Sequence, residues 1–222
     1  RGVRDVLPVP PAFVAAQMRA VLDDIGADAM KTGMLADAAT IDAVCDALDA
    51  HGGRPALVLD PVMVAKGGQA LLAPAALATL KRRLLPHAAV LTPNVPEAEV
   101  LSGSTIADEA GLWRAAEALL TLGVPAVLLK GGHLPGESVV DLLATESGTA
   151  IFRAPRIVSR HTHGTGCTLA SAIAAGLAQG MTLRPSVERA RAYVRAAIAA
   201  APGYGAGHGP LNHAVTCDAG RL

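Results

Sequence analysis

The sequence predicts an α/β fold: a mostly parallel central sheet with helices on both faces. Short apolar runs alternate with stretches of helical periodicity along most of the chain. Of 222 residues, 51% are apolar but only 2% aromatic, so Ala, Val, Leu and Ile must fill the core, as they do around buried parallel strands. The apolar runs also stop on turn-forming or polar residues, at Asp60-Pro61, Thr92-Pro93-Asn94 and Lys130-Gly131-Gly132.

The elements follow in order. After Pro10 and Pro11, the apolar positions Phe13, Val14, Met18, Val21, Leu22 and Ile25 recur at helical spacing and predict a helix over 13–25. A short strand is expected in 29–34. Residues 39–50 return to helical spacing through Ile41, Val44, Ala47 and Leu48. The run 56–59 reads as a buried strand, followed by a glycine-containing loop and a helix over 74–85. A strand at 88–91 leads to helices at 96–101 and 108–122, and these to a strand at 126–129. Residues 139–144 and 150–154, joined by Glu146-Ser147-Gly148, read as a hairpin at the sheet edge. Two Ala-rich helices close the order, at 165–179 and 185–201. One domain over 1–215 is expected, with a tail at 216–222.

Nineteen basic residues balance nineteen acidic ones, and no basic stripe interleaved with aromatics is present. Nucleic acid is therefore not the expected partner; a small molecule is. Cys45, Cys167 and Cys217 are far apart and make neither a CxxC nor a disulfide framework, which fits a reduced, cytoplasmic setting. No apolar run reaches the length of a membrane span, so no membrane partner is expected. No G-x-G-x-x-G follows the first strand, which argues against a dinucleotide-binding oxidoreductase.

In parallel α/β sheets the ligand site lies beyond the carboxyl ends of the strands. Asp60, Asn94, Lys130 and the segment before Thr165 all fall at that edge. The strongest chemical signal is His161-Thr162-His163-Gly164-Thr165-Gly166-Cys167-Thr168, which opens a helix. Glycines at a helix entry let successive N–H groups converge on one point, an anion nest reinforced by the helix dipole. Taken alone, such a turn is equally read as a tight cap. Asn94 with Glu97 is a capping box by spacing alone. Lys130 alone reads as a solvated strand end, and Cys167 alone as an inert thiol.

In company these segments are more specific. Thr162-His163-Gly164-Thr165-Gly166-Cys167-Thr168 resembles the anion-hole motif of the hydroxymethylpyrimidine / phosphomethylpyrimidine kinases, a branch of the ribokinase-like superfamily. Lys31-Thr32-Gly33-Met34-Leu35, Leu59-Asp60-Pro61-Val62-Met63, Leu91-Thr92-Pro93-Asn94 with Glu97, Leu129-Lys130-Gly131-Gly132-His133 and Gly209-Pro210 fall in the family's order. The resemblance implies ATP-dependent phosphorylation of 4-amino-5-hydroxymethyl-2-methylpyrimidine and of its monophosphate in thiamine biosynthesis. It places the anion hole on Gly164, Thr165 and Gly166, with Cys167 as the base where most ribokinase-like enzymes have an aspartate. A thiol of pKa ~8.5, lowered at a helix N-terminus, suits that role.

The same resemblance gives Lys130, Gly131, Gly132, Asn94, Glu97 and Thr162 to the nucleotide, and Asp60 and Glu97 to Mg2+. Met34, Val62 and Cys167 would line the pyrimidine pocket, and Lys66-Gly67-Gly68 would be a closing flap. The family has Asn where His161 stands, so a nucleotide contact there is not carried over. Homodimers are expected from relatives. A pyridoxal kinase of the cysteine-containing type is the nearest alternative; a ligand-binding remnant without catalysis is another. The family's first strand and its Asp-Pro-Ser-Gly-Gly-like loop have no counterpart before Arg1, nor does its upstream pyrimidine-recognising residue. The chain is accordingly expected to be an N-terminally truncated domain, destabilised at one sheet edge and a weak catalyst by itself.

Overall fold

The computed structural model describes residues 5–64 and 70–216. Six strands form one sheet in sequence order: β1 (Ala29–Thr32), β2 (Ala56–Leu59), β3 (Ala88–Leu91), β4 (Ala126–Lys130), β5 (Ser138–Thr145) and β6 (Gly148–Pro155). The first four are parallel, and β5 and β6 are the expected antiparallel hairpin. Among the described residues β1 and β6 are the edges.

Each parallel strand lies beside the previous one, always in the same direction. Right-handed crossovers then place every connecting helix on one face. That face carries α2 (Ala38–Ala50), α3 (Ala76–Thr79), α4 (Val95–Ser102) and α5 (Glu109–Leu120), with α1 (Pro11–Leu22) packed on α2. The chain returns through α6 (Thr165–Ala178) and α7 (Leu183–Ala199), which cover the opposite face.

The two-residue period of the strands divides the core. Leu57, Leu59, Val127, Leu129, Leu142 and Ala144 join Ile41, Leu84, Leu112 and Leu119 on the crossover side. Val58, Val90, Ala126, Leu128 and Leu143 meet Leu169, Ile173, Val187 and Val194 on the other. Leu128 and Leu129 are both fully buried, on opposite faces. Burying one such leucine contributes about 1.5–3 kcal/mol, so a strand covered on both faces is held more firmly than a half-exposed one.

One expected element differs. The helix over 74–85 is broken into α3, a widened π turn (Leu80–Leu84) and a 3-10 turn (Leu85–His87). Pro86 lies in the last turn and has no N–H to continue the i to i−4 ladder, so the helix cannot run on in α form. Lys66-Gly67-Gly68, the expected flap, lies outside the described residues, as do 217–222 of the tail.

Helices α6 and α7 approach closely at Gly176. A Cβ there would sit 2.6 Å from Ser186 Oγ and 2.8 Å from Ser186 Cβ, and Ser186 is fully buried with its hydroxyl donated to Thr182 O. Replacing a helical glycine by alanine ordinarily gains about 1 kcal/mol, while overpacking costs about 1–3 kcal/mol. Two contacts under 3 Å against a short, buried, hydrogen-bonded serine put the cost in the upper part of that range, so Gly176→Ala should destabilise the chain by about 1–2 kcal/mol net. Urea denaturation read by circular dichroism would measure it, and an unchanged midpoint would contradict this account of the α6/α7 contact.

Candidate active site

The expected site residues on the strand ends lie at the carboxyl edge of the parallel strands because each strand ends where the chain turns. Asp60, directly after β2, is buried at 3% exposure although it carries a carboxylate. Its Oδ1 accepts from Lys130 Nζ at 2.9 Å and from Thr92 Oγ1 at 3.3 Å. Its Oδ2 lies 3.9 Å from Lys31 Nζ. Two lysines from β1 and β4 thus flank one buried carboxylate between them. Gly33 permits the Lys31 approach, since a Cβ on it would stand 3.1 Å from that Nζ.

The α6 N-terminus faces this group. Gly164 is the N-cap with φ of 82°, a left-handed backbone that glycine adopts without strain. A Cβ on Gly166 would lie 3.2 Å from Lys130 Nζ and 3.8 Å from Asp60 Oδ2. The first turn of α6 therefore points free N–H groups and the positive end of its dipole toward the lysine end. The Thr165 hydroxyl bonds back to Thr162 O, and the Thr168 hydroxyl to Gly164 O. The approach to the nest is fixed by the terminal glycine-rich loop, where His163 N donates to Gly209 O. Gly209 packs so closely on His161 that no side chain fits between them.

Cys167 is one residue beyond Gly166, about 100° further around the helix, and is exposed. It opens onto a cleft of about 360 Å³ lined also by Thr168, Ser171, Ala172, Tyr193 and His213. Met34 follows β1 and Val62 follows β2 at the same edge, where Thr32 and Leu59 are register partners. Met34 is 40% exposed and Val62 half-buried.

Asn94 and Glu97 form a reciprocal capping box: Glu97 N donates to Asn94 Oδ1 at 3.0 Å, and Asn94 N to Glu97 Oε2 at 2.8 Å. Lys130 N donates to Pro93 O, so the Asn94 turn is tied to the start of the Lys130 loop. Burial pushes the Glu97 carboxyl above its usual range; Lys130 and the Asn94 N–H pull it back, and Asp60 adds to the rise. Two carboxylates, Asp60 and Glu97, are near enough to influence each other. Among the described residues no cluster of three or more His, Cys, Asp or Glu side chains could hold a metal alone.

Several contributors escaped the sequence reading. Thr92 and Lys31, which lie in the quoted motifs but were given no role there, complete the shell of Asp60. Asp141, buried on β5, accepts from Gly131 N at 3.1 Å and from Arg191 Nε at 2.8 Å. Its pairing depends on an arginine fifty residues away and left no local trace.

No helix among the described residues is long and apolar enough to cross a membrane. The sequence matches the phosphomethylpyrimidine kinase family profile over residues 1–212. It is 50% identical over 218 residues to the thiamine biosynthesis bifunctional protein ThiED of Geobacter sulfurreducens, covering 98% of this chain and 44% of that protein. It is 49% identical over 213 residues to the hydroxymethylpyrimidine/phosphomethylpyrimidine kinase of Streptomyces coelicolor, covering 96% of this chain and 78% of the relative.

Among solved structures, the phosphomethylpyrimidine kinase of Clostridium difficile superposes with a TM-score of 0.77 at 36% identity, over 89% of this chain and 80% of that one. The pyridoxal kinase of Staphylococcus aureus in complex with ADP superposes with a TM-score of 0.88 at 32% identity, over 97% and 78%. The ribokinase-like α/β architecture expected from the motifs is the one these kinases share with it. A profile match across nearly the whole length and relatives at half identity place the chain in the phosphomethylpyrimidine kinase family.

Proposed function

We propose that this chain carries the site for ATP-dependent phosphorylation of 4-amino-5-hydroxymethyl-2-methylpyrimidine and of its monophosphate. The observation that supports this best is the convergence of Lys130, Asp60 and the Gly164–Thr165–Gly166 nest, three segments more than thirty residues apart in sequence. A pocket of N–H groups beside an ammonium group suits the three equatorial oxygens of a phosphoryl group in transfer. The same reading carries a homodimer in the cytoplasm.

In the reaction the Cys167 thiolate takes the proton of the substrate hydroxymethyl group. The hydroxyl oxygen forms a bond to the γ-phosphorus as the bond from that phosphorus to the β,γ-bridging oxygen breaks. ADP leaves with that electron pair, and the thiol returns its proton to solvent. Gly164, Thr165 and Gly166 hold the oxygens that gain charge. Lys130, with Gly131, Gly132, Asn94 and Thr162, holds the nucleotide phosphates, and Asp60 fixes where the Lys130 ammonium stands. Met34 and Val62 contact the pyrimidine.

The donor set fits Mg2+, a hard cation that keeps most of its water and takes one or two carboxylates plus phosphate oxygens. Asp60 and Glu97 would hold it, both through water, because Glu97 Oε2 is engaged by Asn94 N and Asp60 Oδ1 by Lys130 and Thr92. When bound it neutralises charge on the β- and γ-phosphates.

A second reading, pyridoxal phosphorylation, has one observation in its favour: the pyridoxal kinase superposes with the higher of the two TM-scores. Identity of about half to pyrimidine kinases, against 32% to that enzyme, favours the pyrimidine. Turnover of the two substrates side by side, with Mg2+ and ATP and with product identified by mass, decides between them. Pyrimidine phosphate should dominate; pyridoxal phosphate alone would replace the reading, and ATP binding without either product would reduce the chain to a ligand-binding module.

Cys167→Ala should lower turnover about 10²-fold or more with ATP affinity nearly unchanged, the pattern of a lost general base. Normal turnover in that variant removes Cys167 from the mechanism. Gly166→Val should abolish transfer, because a branched Cβ at that point meets the Lys130 ammonium. Full activity there would mean that the nest does not hold the transferred group.

A further inference from the structure

The loop that follows Lys130 is held from outside by one arginine. Arg156, immediately after β6, donates from Nε to Gly136 O at 2.8 Å, from Nη1 to Gly132 O at 2.8 Å and from Nη2 to Leu134 O at 2.5 Å. Its own N–H donates to Glu137 O at 2.7 Å. Among the described residues its guanidinium has no carboxylate within ion-pair distance. A surface arginine ordinarily answers a carboxylate; this one is committed to three carbonyls of a five-residue stretch. The planar fork fixes those carbonyls relative to one another, which a point-like ammonium cannot do.

The location gives the clamp its meaning. Lys130 Nζ and the first turn of α6 meet beside Asp60, so β4 and α6 converge on one point. From that point one wall runs forward through 131–136 and the other runs backward from Gly164 to Arg156. Arg156 bonds the far ends of these two walls together. A nucleotide whose phosphates occupy the point of convergence would have these two segments as walls for its remainder. The near end is already pinned, by Gly131 N on Asp141 and by a Val140 carbonyl so close to Gly131 that no Cβ fits. Arg156 supplies the far anchor.

We propose that Arg156 is a positioning residue for the nucleotide: it touches neither phosphate nor substrate, and it presets the 131–136 wall against the segment leading into the anion nest. This rests on the nucleotide reading of Lys130 given above. Without the fork the loop must be ordered when nucleotide arrives, and affinity falls by the cost of that ordering.

The test is ATP binding with Mg2+ to the chain by calorimetry, which needs no turnover. Arg156→Ala should weaken ATP about tenfold. Arg156→Lys, which keeps the charge and loses the fork, should recover little of that loss. Millimolar guanidinium should restore ATP affinity to Arg156→Ala, whereas sodium at equal ionic strength should not. If Arg156→Lys binds ATP as the parent does, the residue acts by charge alone and the clamp is overturned. Unchanged affinity in Arg156→Ala overturns it as well. Should the alanine variant fail to fold, the lysine variant decides by the same criterion. Absence of ATP binding by the unmodified chain would instead remove the nucleotide reading itself, a result distinguishable from failure of the clamp.

Discussion

The buried ion pair of Asp60 with Lys130 is the interaction on which the arrangement of the site depends. It joins the end of β2 to the end of β4 across β3, and the first turn of α6 sits directly over it. Removing two charges from water costs several kcal/mol per ion before their attraction returns any of it, so such a pair is a poor device for stability alone. Its partners show how the cost is limited: Thr92 donates to Asp60, Lys31 stands on the other oxygen, and Lys130 remains partly open to the edge. What the pair contributes is position. An ammonium group held by a buried carboxylate cannot wander as a four-carbon side chain otherwise would, so the first turn of α6 has a fixed cation beside it.

Much of this was legible in the sequence because parallel α/β folds put strand ends and chemistry in the same place. Apolar quartets closing on Asp60-Pro61, Asn94 and Lys130-Gly131 declared both the strands and the edge at which their last residues gather. The glycines flanking Thr165 declared a helix entry with free N–H groups. The hairpin showed itself by its turn residues and its length.

What was not legible depends on partners that sequence spacing does not reveal. The helix expected over 74–85 carries adequate helical periodicity, and the structure breaks it with a widened turn at Leu80–Leu84 before Pro86, just past its expected end. Asp141 reads as one acid in an apolar strand; its meaning comes from Arg191 on α7 and from the N–H of Gly131. Arg156 reads as one basic residue after a strand. Only the fold brings three carbonyls from a loop twenty residues earlier within its reach.

The cysteines show how environment, rather than residue type, divides roles. Cys45 is wholly buried on α2, and desolvation pushes its thiol up to about 11, against the opposing pull of Arg83. At neutral pH such a thiol remains protonated and serves as a small apolar side chain. Cys167 has the opposite setting: it is exposed, lies in the first turn of a helix, and adjoins a glycine whose face looks onto Lys130 and Asp60. A base for a substrate hydroxyl must reach solvent-accessible space beside the phosphoryl site while its neighbours hold the anion. Under the function proposed above, the 100° turn from Gly166 to Cys167 would meet both demands with consecutive residues, one face of the helix holding charge and the next removing a proton.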